Sequence, residues 1–194
     1  MYRRDFLKAV VSGFSVIVLG GAANLLHHVR GKKFILRPPG ALSEAHLRSL
    51  CLACGKCEEV CPQAVIRPVL LTEDASCAGT PRLDFSDNYC NLCMLCTKIC
   101  PTGALMPVRQ KEVLLGIAKV LPERCARWLG KSCGGGCLNR CPFKAVRVDG
   151  DQRPIVVEEL CIGCGICEVG CSLSANEIYT KGIVVYPVDK MVRG

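Results

Sequence analysis

Apolar and polar positions divide the chain into stretches of different character. From Ala9 to Leu26 an 18-residue run is weakly apolar and interrupted by Ser12, Gly13, Ser15, Gly20, Gly21 and Asn24. As a helix it would reach about 27 Å at ~1.5 Å per residue, close to the hydrocarbon thickness of a bilayer. No later stretch is apolar over such a length. Leu36-Arg37-Pro38-Pro39-Gly40-Ala41-Leu42 predicts an extended linker and a turn, because two prolines exclude helix and glycine permits the bend. Ser43 is placed to cap a short helix carrying Leu47 and Leu50. Between Gln110 and Leu121, Val113, Ile117, Val120 and Leu121 fall on one helical face and Pro122 stops the run, which predicts a core-facing spacer helix. Short strands are predicted at Val146 to Val148, Ile155 to Val157 and Ile183 to Tyr186. The rest reads as loop, and the loops carry cysteine.

The 194 residues suffice for one domain of ordinary size plus a short appendage, so a multi-domain enzyme is not expected. With 50% hydrophobic and 22% charged residues, a disordered or collagen-like chain is excluded. Cysteine occurs 17 times against 1 Trp, 4 Tyr and 5 Phe, so large aromatics cannot be the main packing material. Something bound to sulfur must help. The formal charge of +8 counts every cysteine as neutral. Thiolates bound to metal would carry negative charge and offset that excess. No run of basic residues interleaved with aromatics occurs, so no nucleic-acid partner is expected.

An internal repeat dominates the sequence. Cys51, Cys54, Cys57 and Cys61 are separated by two, two and three residues and followed by Pro62; Cys90, Cys93, Cys96 and Cys100 repeat this before Pro101. Cys161, Cys164, Cys167 and Cys171 give the same spacing, with Ser172 in place of proline. The remaining group is irregular: Cys125, then Cys133, Cys137 and Cys141 before Pro142. Three thiolates on a tight loop can reach three iron corners of one cubane, while the fourth, at a proline-stopped turn, points toward a second cluster. Each pair of motifs then builds two clusters. Gly55, Gly163 and Gly165 lie inside these loops, where backbone must come close to sulfur and donate N–H groups; Gly134-Gly135-Gly136 is read the same way, not as a phosphate loop, since no Lys-Ser/Thr pair follows.

Three other chemistries compete for these cysteines. A disulfide network meets an odd count of 17 and spacings that match no staple framework. Structural zinc ordinarily takes two separated C-x2-C pairs. A radical enzyme needs a C-x3-C-x2-C triplet, which Cys133, Cys137 and Cys141 miss by one residue. Cys77 stands outside every group and reads as a free thiol in a loop. His27 and His28 follow the apolar run and read as interfacial, with no C-x-x-C-H haem attachment site, while His46 reads as a helix-surface residue. Lys56, Lys98, Arg140 and Lys144 lie near the motifs, as solvated charge or as tuners of a cluster.

The start of the chain, Arg3-Arg4-Asp5-Phe6-Leu7-Lys8, resembles a twin-arginine export signal, with Tyr2 where that pattern has Ser or Thr. Such a route suits a protein that receives its clusters before crossing the membrane. Gly21-Ala22-Ala23 offers small residues for cleavage, or the helix stays as an anchor. From Leu36 to Pro187 the chain resembles the ferredoxin-type NapG/MauM family, on the export start, Leu36 to Ala41 before the first motif, Gly79-Thr80-Pro81, the four cysteine groups in order, and the long first gap of the third group. The second gap of that group, three residues where the family has two, and the missing fourth proline depart from it.

The resemblance implies an α+β, loop-rich fold of two ferredoxin-like halves, a double 2×4Fe-4S polyferredoxin, behind an N-terminal hydrophobic signal or anchor helix. Residues 1–30 would be that segment, 31–50 a linker and short helix, and 51–194 the four-cluster domain. It further implies electron transfer without catalytic residues or a small-molecule substrate, on the periplasmic side of the cytoplasmic membrane. A membrane iron-sulfur quinol-oxidising protein would donate and an exported cytochrome or reductase accept. The runner-up is the iron-sulfur subunit of a molybdenum or tungsten oxidoreductase. Analogy with such subunits favours nested pairing, motif one with four and two with three, over pairing of neighbours.

Overall fold

The structure is a computed structural model that describes residues 35–171 and 181–188. The chain divides into two units, Met1–Lys33 and Phe34–Gly194, and every described residue belongs to the second. The signal or anchor segment, His27, His28 and Ser172 lie outside the described residues. No described helix is long and apolar enough to cross a membrane.

Helix α1, Glu44–Leu50, begins where Ser43 Oγ accepts from the His46 N–H at 3.1 Å, as the sequence predicts, and buries Leu47. His46 is half-buried rather than a surface residue, its Nε2 lying 3.0 Å from the Gly103 carbonyl. The chain then runs through two passages of the same order. In the first, α2 (Lys56–Glu59) lies within a cysteine motif, strands β1 (Ile66–Pro68) and β2 (Pro81–Leu83) pair antiparallel, and α3 (Leu95–Ile99) lies within the next motif. In the second, α4 (Gly136–Arg140), the antiparallel pair β4 (Val146–Val148) and β5 (Pro154–Val156), and α5 (Ile166–Val169) repeat it. Between them β3 (Ile117–Val120) pairs antiparallel with β6 (Ile183–Tyr186), Ile117 opposite Tyr186 and Val120 opposite Ile183. Strands β4, β5 and β6 stand where the sequence places them, β5 shifted back by one residue.

The predicted helix from Gln110 to Leu121 is not formed. Gln110–Glu112 is a single 3-10 turn and the chain then extends into β3. Long-range pairing overrides the helical spacing: Ala118 donates its N–H to Cys161 Sγ at 3.4 Å, and the strand finds its partner in β6. Gly116 adds a steric reason. A Cβ there would stand 2.4 Å from the Tyr186 carbonyl oxygen, so the backbone is already pressed against β6.

The expected linker is also something else. Residues 37–41 are buried, and Leu36 with them at the limit. Arg37 is held there by Glu44, which its Nε reaches at 2.8 Å, while its Nη1 donates to Thr80 Oγ1 at 3.0 Å and to the Pro81 carbonyl at 2.8 Å. One guanidinium thus ties α1 and the start of β2 to the Pro-Pro segment. Around it the core is aliphatic, with Leu47, Val65, Ile66, Leu83, Leu105, Val113, Ile183 and Val185, and Phe85 is the one aromatic among the described core residues.

Candidate metal-cluster sites

Each cysteine motif is shaped by the same local device. A residue in the left-handed region, Gly55, Met94, Gly135 or Gly165, precedes a short helix whose second residue is the third cysteine, respectively Cys57, Cys96, Cys137 and Cys167. The left-handed turn reverses the chain so that the preceding cysteines come back toward the helix start. In the irregular motif Gly135 and Gly136 occupy the places of Gly55 and Lys56, so the additional residue is Gly134, absorbed ahead of the turn.

The structure gathers the sixteen predicted cysteines into four groups of four. Site one brings Cys51, Cys54 and Cys57 together with Cys100 around a cavity of about 230 Å³. Site two joins Cys90, Cys93 and Cys96 to Cys61. Site three joins Cys125, Cys133 and Cys137 to Cys171. In site four the Cys167 thiol is pushed up by burial and by Cys161, Cys164 and Cys141 beside it. Motifs one and two therefore exchange their fourth cysteines, and so do three and four. The nested pairing expected by analogy is not what the chain adopts.

The reason for neighbour pairing lies in helix contact. Helix α2 packs on α3 and α4 on α5. At the second crossing a Cβ on Gly136 would stand 2.1 Å from the Gly170 carbonyl oxygen, and one on Gly170 would stand 2.7 Å from that of Gly136. Two glycines facing each other let backbone touch backbone, and the cysteines on both helices are drawn together. Cys77, the seventeenth, belongs to no group; it is buried in a 3-10 turn beside Arg37 instead of lying in an open loop.

Electrostatics show what the groups require. Burial, joined by Cys51 and Cys54, pushes the Cys57 thiol up to about 11. Burial with Cys90 and Cys93 pushes Cys96 up to about 12, and burial with Cys171 and Cys125 pushes Cys137 up to about 11. Four thiolates can share such a space only when positive charge sits among them. Backbone donors are already aimed at sulfur: Ala53 N–H to Cys51 at 3.4 Å, Leu105 N–H to Cys100 at 3.4 Å and Gly182 N–H to Cys171 at 3.3 Å. Among the described residues no group of three or more His, Cys, Asp or Glu is drawn tightly enough for a single metal ion. Four cysteines per group, with backbone N–H donors on their sulfurs, are the donor set that a 4Fe-4S cluster takes.

The four sites form a row. Cys90 of site two donates its N–H to the carbonyl oxygen of Cys164 in site four at 2.8 Å. Lys181 Nζ adds a bond of 2.5 Å to the Phe85 carbonyl, and Leu115 N–H one of 2.9 Å to Ile162. Sites two and four are thus the inner pair and sites one and three the ends, so the spatial order is one, two, four, three. Burial is greatest at site four, where Cys161, Cys164 and Cys167 are buried, and Cys54 of site one is exposed.

Comparison with known proteins agrees with this geometry. Residues 50–104 match the family described as a 4Fe-4S dicluster domain, which spans the first two motifs as one unit, and residues 158–179 match a 4Fe-4S binding domain. The methylamine utilization ferredoxin-type protein MauM of Methylobacillus flagellatus is 32% identical over 91% of this chain and 82% of its own. The ferredoxin-type protein NapG of Escherichia coli is 32% identical over 91% of this chain and 84% of its own. NapF of Escherichia coli is more distant, 25% identical over 72% of this chain and 82% of its own. With paired 4Fe-4S motifs in the sequence and relatives matching nearly end to end, the chain belongs to the ferredoxin-type NapG/MauM family of iron-sulfur electron-transfer proteins.

Proposed function

We propose that the protein holds four 4Fe-4S clusters, one in each group of cysteines, and relays electrons along the row from site one or site three to the opposite end. The clusters supply the one-electron chemistry; the chain supplies thiolates, N–H donors to sulfur and a dry interior that set the potential of each centre. In this reading the two repeated passages are two ferredoxin-like halves, and the Cys90 to Cys164 hydrogen bond is where they join. That junction carries the reading, because it turns two separate pairs of sites into one path.

The setting we propose follows the export signal and the family. A membrane iron-sulfur protein that oxidises quinol donates, and an exported cytochrome or reductase accepts, on the periplasmic side of the cytoplasmic membrane. The neighbour pairing departs from the nested pairing that analogy with molybdenum or tungsten oxidoreductase subunits implies, and so supports this reading over that runner-up. Native membranes supplied with quinol should bleach the visible absorbance of added holoprotein under argon, and membranes stripped of iron-sulfur proteins should not. Equal bleaching by both, or by neither, would remove the quinol-oxidising donor from the account.

A further inference from the structure

The two ends of the row present different surfaces. Leu52 beside site one is 72% exposed, Leu70 and Leu71 just after β1 are 54 and 68% exposed, and Arg67 nearby is paired to Glu58 at 3.3 Å. Beside site three the chain turns basic. From Glu123 to Arg147 it carries six Arg and Lys residues against a single acidic one, Glu123. Arg124, Lys131, Arg140 and Lys144 are exposed, and none of them enters an ion pair among the described residues.

Arg124, Lys131 and Arg140 lie beside the cysteines of the site, and Lys144 and Phe143 follow Cys141, the ligand that the same motif gives to neighbouring site four. Arg124 adjoins Cys125, Lys131 is two residues before Cys133, and Arg140 ends α4, whose second residue is Cys137. The segment is folded back tightly: Leu129 N–H donates to the Cys125 carbonyl at 3.0 Å and Lys131 N–H to that of Ala126 at 2.8 Å. Leu129 and Phe143 are 51% and 38% exposed among the charges. Gly134, the additional residue of the motif, is exposed, has no left-handed φ and no described neighbour within 4 Å of a Cβ position. Bare backbone therefore places no side chain over half-buried Cys133.

We propose that site three is the docking end for a redox protein with an acidic face, held by Lys131, Lys144, Arg124 and Arg140 around Leu129 and Phe143. Unpaired surface cations raise the encounter rate of an anionic partner and fix its orientation, and apolar side chains among them supply contact area once water is expelled. The proposal rests on the electron-carrier reading above. It adds which end meets such a partner and by what chemistry.

The test uses full-length holoprotein and an acidic plant-type ferredoxin as probe. At 50 mM NaCl the Kd should weaken about tenfold in K131E/K144E, and in the wild type it should weaken about tenfold between 50 and 500 mM NaCl. The double variant R48E/R67E, near site one, should bind as the wild type does. An unchanged Kd in K131E/K144E with full iron and sulfide would overturn the proposal. So would an unchanged Kd accompanied by lost binding to phosphatidylglycerol vesicles, which would make the patch a lipid contact. Where K131E/K144E fails to assemble, the neutral K131Q/K144Q variant should show a loss of about threefold, and no loss would again overturn it. A wild-type chain that carries no iron would instead refute the electron-carrier reading beneath it.

Discussion

The N–H of Cys90 donates to the carbonyl oxygen of Cys164 across 2.8 Å, and this bond joins the two halves of the protein at their innermost cysteines. Cys90 is the first cysteine of the second motif and Cys164 the second cysteine of the fourth, and a further contact lies close by. Phe85, five residues before Cys90, is buried and packs so closely on Gly165 that a Cβ there would stand 2.4 Å from its ring. Covalent order along the chain and spatial order of the sites consequently differ.

Neighbour pairing can be read in a double-substitution experiment. Cys54→Ser and Cys100→Ser should each remove the same cluster's electron-resonance signal, and the double variant should lose no more than either alone, since both cysteines line site one. Nested pairing would make the two losses add.

The glycine contact between α4 and α5 is a steric prediction. Gly136→Ala places a Cβ 2.1 Å from a backbone oxygen that has no room to yield, at a cost of about 2–3 kcal/mol, and should lower iron content at sites three and four while sparing one and two. Gly150→Ala, where a Cβ meets nothing within 4 Å and φ is not left-handed, should leave Tm within about 1 °C. Thermal melts with metal analysis check both.

Arg37 holds its place by geometry as much as by charge. Replacing it with Ala strands Glu44, Thr80 Oγ1 and the Pro81 carbonyl, and should cost about 3 kcal/mol in chemical unfolding. Arg37→Lys should recover less than half, because an ammonium cannot reproduce the forked donors. Full recovery by lysine would show that charge alone is needed.

Asp84 gives an acid-dependent term. Burial opposes its charge, but bonds from Ser86 and the Arg82 guanidinium at 2.9 Å hold its carboxyl below the usual carboxylate range. A depressed folded value means the contribution is present above the unfolded pKa of about 3.9 and is lost as pH falls through the lower folded value. Between pH 7 and pH 3 the wild type should therefore lose up to about 1 kcal/mol that Asp84→Asn does not lose.

Much of the candidate site was legible because its chemistry is written locally. Cysteine spacing and proline stops name sixteen cysteines without reference to fold, and Ser43 and the strand at Ile183–Tyr186 carry their own signals in cap chemistry and β-branched residues. What was not legible is relational. Val113, Ile117 and Val120 satisfy a helical period, yet β3 forms because a partner strand more than sixty residues away claims its backbone. Strands β1 and β2 hold only three residues each, and prolines Pro68 and Pro81 mask them. Gly136 and Gly170 let motifs three and four close on each other, but each looks like an ordinary loop glycine until the other is set against it. Arg37 reads as part of an extended linker for the same reason: Glu44 is near in sequence, while Thr80 and Pro81 are not.

The central claim is that each of four groups of thiolates surrounds an iron-sulfur cube. Iron and acid-labile sulfide should be counted on anaerobically purified protein, with the reduced electron-resonance spectrum integrated on the same sample. The account predicts about sixteen of each per chain and spins that interact with one another, as neighbouring centres in one row must. Four zinc ions with no sulfide, or thiols joined in disulfides, would contradict it.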